Sequence, residues 1–215
     1  TQLLKSKHFY DADDTDTSDE IIGGLIKSPL ELLLQTITLL NFPVPDPITK
    51  GELHYRVFYE NTIIKKFLDI SAQPIFGDVN TPPAGFPAHY SSPNFDKSWF
   101  NSSTIIPRYN ICKIVFFKGN FGFNPGDFIK EVVPNPSDPE EIVDVLTDML
   151  FPETPSQERK QYFIDTFLFD GGSLLQQGDE KYYYWNSLWS DYLGGKKENT
   201  VHGILESLIE ALIWS

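Results

Sequence analysis

Six polar side chains with useful chemistry fall within one irregular stretch: Gln73, His89, Ser91, Ser92, Asp96 and Arg108. A hydroxyl nucleophile, an imidazole base, a carboxylate to orient it and a guanidinium for an anion are the parts of a hydrolase. Geometry rather than composition defines a triad, and no GxSxG turn is present to expose a strained serine. The structural alternative is the stronger reading. Pro82-Pro83 and Gly85-Phe86-Pro87 pin a long loop, and Gln73 and Arg108 bond backbone carbonyls that the loop would otherwise leave unpaired.

A second cluster is the acidic run Asp11–Glu20, in which Asp14, Asp16 and Asp19 could offer oxygen ligands to calcium. An EF-hand loop needs Gly at its sixth position and Glu at its twelfth. Counted from Asp14 those places hold Asp19 and Leu25, and counted from Asp11 they hold Asp16 and Ile22, so a solvated acidic linker is expected instead. No cofactor is implied beyond that weak calcium candidate. His8, His54, His89 and His202 lack the spacing of a zinc motif. No carboxylate pair sits in an apolar setting that would mark it for glycoside hydrolysis.

A third candidate is the aromatic segment Tyr182-Tyr183-Tyr184-Trp185 with Trp189 and Tyr192. Exposed, these rings would form a sugar-stacking platform. At helical spacing, however, Trp185, Leu188, Trp189 and Tyr192 make one stripe, which reads as core. Cys112 stands alone in an apolar run and reads as a small buried hydrophobe.

The formal charge of −13 disfavours nucleic acid and anionic membrane surfaces as partners. No apolar run is long enough to span a bilayer. Aromatic residues make up 14% of the 215 positions, enough for a modest chain to build a stable core.

The elements that must hold these residues are helices. Ser28-Pro29-Leu30-Glu31 combines a capping hydroxyl, Pro at the first helical position and a capping-box acid. Behind it Leu30, Leu33, Leu34, Ile37 and Leu40 share one face. Pro43, Pro45 and Pro47 form a stiff connector, and a second helix over about 51–71 carries Ile63, Ile64, Phe67 and Leu68. Residues 73–96 lose periodicity and read as a long ordered loop. A third helix covers about 100–117, with Pro107 starting or kinking it. A Gly-, Asn- and Pro-rich break follows over Gly119–Pro136. Asp138-Pro139-Glu140-Glu141 and Thr154-Pro155-Ser156-Gln157 open further helices. The Tyr/Trp-rich helix stops at Gly194-Gly195, and Asn199 or Thr200 caps the last one. The expected fold is all-α: about seven helices in an irregular bundle with a long Pro/Gly/aromatic-rich loop. It reads as one module over 1–215, with a subdivision into 1–118 and 137–215. Thr1 opens without Met inside an amphipathic pattern, and the periodicity still runs at Trp214, so a larger protein is expected.

Several blocks stand in order along the chain: Leu3-Leu4-x-Ser6-x-His8-Phe9-Tyr10, Ile26-Lys27-Ser28-Pro29-Leu30-Glu31-Leu32, Ala72-Gln73-Pro74-Ile75-Phe76, Pro82-Pro83, Gly85-Phe86-Pro87, Trp99 and Ile105-Ile106-Pro107-Arg108-Tyr109-Asn110. Together they resemble the bacterial family called domain of unknown function 1800. Ala72 stands where the family has Gly, Phe86 where it has Trp, and the stretch from Pro87 to Trp99 is longer than usual, a form similar to that of Bacteroidetes members. The resemblance implies binding residues at Gln73, Pro83, Gly85, Phe86, His89, Trp99 and Arg108. It also implies an exported protein of which this chain is the C-terminal part, with the N-terminal remainder as its partner. No reaction comes with it. The expectation is a non-catalytic scaffold, or a part binding a polysaccharide or another cell-surface protein. The enzyme alternative is a hydrolase whose site is completed upstream.

Overall fold

The computed structural model describes residues 27–71, 102–117, 121–151, 154–169 and 180–214. Among the described residues there are ten helical segments, seven of them at least seven residues long, and no strand. The all-α expectation therefore holds. The chain divides into two units: Thr1–Gln35 with Asp46–Val115, and Thr36–Pro45 with Phe116–Ser215.

In the first unit, α1 (Pro29–Leu39) begins as its sequence dictates. Glu31 N–H donates to Ser28 Oγ at 3.3 Å, and the Glu31 carboxylate accepts from Ser28 N–H at 2.8 Å. The box satisfies two N–H groups that a helix start leaves without partners. After the connector, Asp46 caps a single turn, α2 (Pro47–Lys50), by accepting from Ile48 and Thr49 N–H. Gly51, at φ +87, turns the chain into α3, which runs Glu52–Arg56 and continues as a π-helix over Val57–Leu68. Its buried residues are Phe58, Thr62, Ile63, Phe67 and Leu68, recurring every four to five positions as an i→i+5 ladder requires. Thr62 Oγ1 donates to Val57 O at 3.1 Å within that ladder.

The third expected helix is two shorter ones. α4 (Ile105–Tyr109) contains Pro107 in its first turn, where the missing N–H costs nothing. Asn110 then breaks it, its side chain donating back to Ile106 O at 2.9 Å, and a π segment, α5 (Cys112–Phe117), follows. Cys112 is fully buried, as a small hydrophobe would be.

The second unit opens with the end of α1. Asn41 adopts φ +45, Phe42 N–H reaches Ile37 O at 3.0 Å and Asn41 N–H reaches Thr38 O at 3.2 Å, the two bonds of a Schellman cap. The stretch Gly119–Pro136, read as a break, contains a helix, α6 (Pro125–Val132), opened by the Asn124 side chain accepting from Asp127 N–H at 3.1 Å. Its start repeats the cap–Pro–x–acid pattern seen elsewhere, but Gly126 hid it, because glycine is unfavourable inside helices. Glycine is required there by packing: a Cβ at Gly126 would run into the Tyr192 hydroxyl and ring.

α7 (Pro139–Leu150) is capped by Asp138 as expected. α8 (Gln157–Phe163, continuing as a π segment Ile164–Leu168) is capped by Ser156, two residues later than the Thr154 start anticipated. α9 (Glu180–Leu193) ends in a second Schellman cap, with Lys196 N–H on Asp191 O at 2.8 Å and Gly195, at φ +76, on Tyr192 O at 2.9 Å. The last helix, α10, runs Glu198–Trp214 and so starts ahead of Asn199.

α10 is the central element of the second unit, packing on α6, α7, α8 and α9. Val201, Leu205, Leu208, Ile209 and Leu212 are buried on it, as are Phe128 and Ile129 on α6, Ile142, Val143 and Leu146 on α7, Ile164 and Leu168 on α8, and the α9 stripe. Lys160, 7% exposed, keeps its charge compensated by Asp144 at 2.8 Å.

Candidate functional site

Of the anticipated binding residues, the structure describes Arg108. Gln73, Pro83, Gly85, Phe86, His89 and Trp99 lie outside the described residues, as do Asp14, Asp16 and Asp19 of the calcium candidate. Among the described residues no group of three or more His, Cys, Asp or Glu side chains is gathered as a metal would need.

Arg108 sits on α4, and its Nη1 donates to the carbonyl of Lys27, 81 positions earlier, at 2.7 Å. That carbonyl belongs to the residue preceding the α1 capping box. Two of the sequence blocks singled out above are thus joined in space, the Lys27-Ser28-Pro29-Leu30-Glu31 helix opening and the Pro107-Arg108 segment. Burial lowers the Arg108 guanidinium below its ordinary value. Burial also lowers Lys27; Glu31 raises it and Arg108 lowers it further. The Arg108 bond ties the helix opening to α4.

Two concavities lie among the described residues of the second unit. One, about 300 Å³, lies at the start of α7 and is lined by Asn135, Ser137, Asp138, Glu140 and Asn186. The other, about 180 Å³, lies between the connector after α1 and the start of α6. Its polar rim is Asn41, Asn124, Asp127 and Glu131, and its apolar wall includes Phe123 and Phe128. Leu40 and Pro43 complete the floor. Both backbone positions that bracket this cleft, Asn41 at φ +45 and Gly122 at φ +92, are left-handed. Asn41 Nδ2 donates to Glu131 Oε1 at 3.2 Å, which fixes the rim across the cleft. Phe123 is half-buried and anchored by Phe42 at 6.0 Å, Phe117 at 6.0 Å and Phe128 at 5.9 Å between ring centroids.

Behind the cleft, α6 is fastened to α9 through Tyr192. The Lys130 ammonium lies 4.5 Å from the Tyr192 ring centroid and bonds Asp127 at 3.1 Å. Burial disfavours the Lys130 charge, but the bonds to Asp127 and Tyr192 outweigh it and hold its pKa above the ordinary value. Trp189 and His202 close the other sides of Tyr192, at 5.0 Å and 5.6 Å between centroids.

The aromatic stripe is core. Trp185, Trp189, Leu188 and Tyr192 are all buried, and Trp185 Nε1 donates to Pro136 O at 2.9 Å, satisfying the one polar atom of a fully enclosed indole. Tyr184 stays 47% exposed. The cleft residues were missed from the sequence because α6 was missed. Their signal was Asn124-Pro125-Gly126-Asp127, the same start pattern that located α1 and α7.

An all-helical module whose helix starts are set by Pro-containing caps is the class these features define. The sequence pattern described as "Protein of unknown function (DUF1800)" matches residues 1–176, and the chain belongs to that family. No curated protein and no solved structure matches it. Among the described residues no helix is long and apolar enough to cross a membrane.

Proposed function

We propose that this chain is a non-catalytic, glycan-binding module of an exported protein. The observation that carries the reading is the composition of the two clefts in the second unit: amides, a serine hydroxyl and carboxylates, with aromatic and aliphatic walls in the smaller one. Such groups match ligands built of hydroxyls, which donate and accept at once. The described Arg108 supports the non-catalytic side of the reading, since one of its guanidinium nitrogens bonds a backbone carbonyl and fastens a helix opening. The carboxylates on the rims, Asp138 and Glu140 in one cleft and Glu131 in the other, disfavour anionic ligands.

A screen of soluble polysaccharides and chromogenic ester and glycoside substrates tests this. The expected result is retention on one or more polysaccharides without turnover. Turnover of any ester or glycoside would replace the reading with the hydrolase alternative. Fractionation of the native cells checks export, and recovery of the protein with the cytosol would overturn that part.

A further inference from the structure

Resting on the glycan-binding reading, the geometry points to the cleft between Asn41 and Glu131 as a subsite for one neutral, ring-sized sugar residue. Its volume, about 180 Å³, lies below the ~300–1,000 Å³ of pockets for larger ligands, so it suits a single ring rather than a chain. Its lining decides the class. Asp127, paired with Lys130, and Glu131, one helical turn apart on α6, supply acceptors, and the Glu131 charge disfavours a phosphate or carboxylate ligand. Asn41 and Asn124 add amide groups, each with a donor face and an acceptor face. Asn41 Nδ2 is turned onto Glu131 Oε1 and Asn124 Oδ1 onto Asp127 N–H, leaving Asn41 Oδ1, Asn124 Nδ2 and the second carboxylate oxygens for vicinal hydroxyls. A simple cation would use only acceptors, whereas a sugar uses both kinds and adds an apolar C–H face. Phe123, half-buried and wedged by three other rings, offers the flat wall for that face.

The site is also held in shape before any ligand arrives. Asn41 is fixed by the Schellman cap of α1, and the α6 start by Asn124 and by the Gly126–Tyr192 contact. Preorganisation of this kind limits the ordering cost of binding a small ligand.

Saturation-transfer NMR and calorimetry with a panel of methyl hexosides test the assignment on the full chain. At least one should bind, with Kd of about 1 mM, as a single-ring ligand allows. Glu131→Gln and Asp127→Asn, both on the exposed rim, should each weaken it about tenfold, a loss typical of a bond to a charged group. Lys66→Ala, on an exposed position of α3 in the first unit, should leave it unchanged, and melting curves should show all three variants folded. Hexoside binding that ignores the rim variants overturns this subsite while leaving the glycan reading intact. So does polysaccharide binding that no methyl hexoside competes for. Tighter binding of propylammonium than of any hexoside overturns the sugar class in favour of a cation. Failure of every carbohydrate to bind overturns both the subsite and the reading beneath it.

Discussion

The two units spend their apolar residues differently. In the second, large side chains close around α10: Trp185, Trp189, Ile142, Leu146, Leu205 and Leu208 are each 6% exposed or less. The first buries Phe58, Phe67, Leu68 and Ile111 but leaves Ile48 at 91%, Leu53 at 77%, Ile106 at 60% and Ile70 at 55%. Their polar groups differ as well. Both units fix backbone with polar side chains, Asn124, Asp138 and Ser156 in the second and Ser28, Glu31, Asp46 and Arg108 in the first, but in the second Asn124 and Asp138 also line clefts. Isolated exposed aliphatic residues need no special cause, and the second unit has one in Leu193 at 61%, but among the described residues more of them fall in the first, which shifts weight there onto backbone bonds. Core substitutions should therefore dominate in the second unit, and bond-breaking ones in the first.

The largest effect falls on Trp185. Replacement by Ala removes a fully buried indole and leaves the Pro136 carbonyl without its donor, so Trp185→Ala should cost about 3–5 kcal/mol in urea denaturation. A loss under about 1 kcal/mol would break the claim that the second unit rests on this stripe. Gly126→Ala comes next. The added methyl meets Tyr192, which is itself held by Lys130, Trp189 and His202, so the clash cannot be relieved freely. A destabilisation of about 1–3 kcal/mol is expected from overpacking. Gly126→Ala combined with Tyr192→Leu should cost less than the sum of the two single changes, because the obstacle is gone. Strict additivity would show that the contact does not matter.

In the first unit Arg108→Ala should cost about 0.5–1.5 kcal/mol, the net worth of one hydrogen bond, because the Lys27 carbonyl is exposed and water can replace the lost donor. Faster hydrogen exchange in the first turn of α1 should accompany it, because the residue before the capping box loses its tether. Unchanged exchange there would detach the two sequence blocks from each other.

These contrasts explain which parts of the molecule could be read in advance. Helix starts were legible at Ser28-Pro29 and Asp138-Pro139, where a capping side chain and Pro come together ahead of a periodic apolar face, while Thr154-Pro155 placed its start two residues early. That information is local, held within about one turn. The core role of Trp185, Trp189 and Tyr192 was legible for the same reason, as spacing on one helix. α6 was not, because the glycine that forbids confidence in a helix is there for Tyr192, 66 positions later, in contact across the unit. The Arg108 bond spans 81 positions and the Asn41–Glu131 bond 90, and no local pattern encodes either. The cleft is built from such distant pairings, so its residues could not be found by reading along the chain.

The smallest predicted effect concerns a carboxyl group inside the tightly packed unit. Glu206 lies on α10 one turn from Glu210, which is 7% exposed, and burial first, then the Glu210 charge, raises the Glu206 pKa above its ordinary value. A carboxyl whose folded pKa exceeds its unfolded one binds more protons when folded, so stability falls as pH rises between the two values. The penalty is absent below the unfolded value, about 4.3, and complete above the folded one. Glu206→Gln removes the charge and keeps the shape. It should therefore raise the melting temperature at pH 7 by about 1–2 °C, a modest gain because the group is only part-buried. Near pH 3.5 the variant and the parent should melt together. A gain that persists at pH 3.5 would assign the effect to packing rather than charge. A loss at pH 7 would mean that the Glu206 carboxylate accepts a bond worth more than its burial costs, and that α10 tolerates charge on its inner flank better than its apolar neighbours suggest.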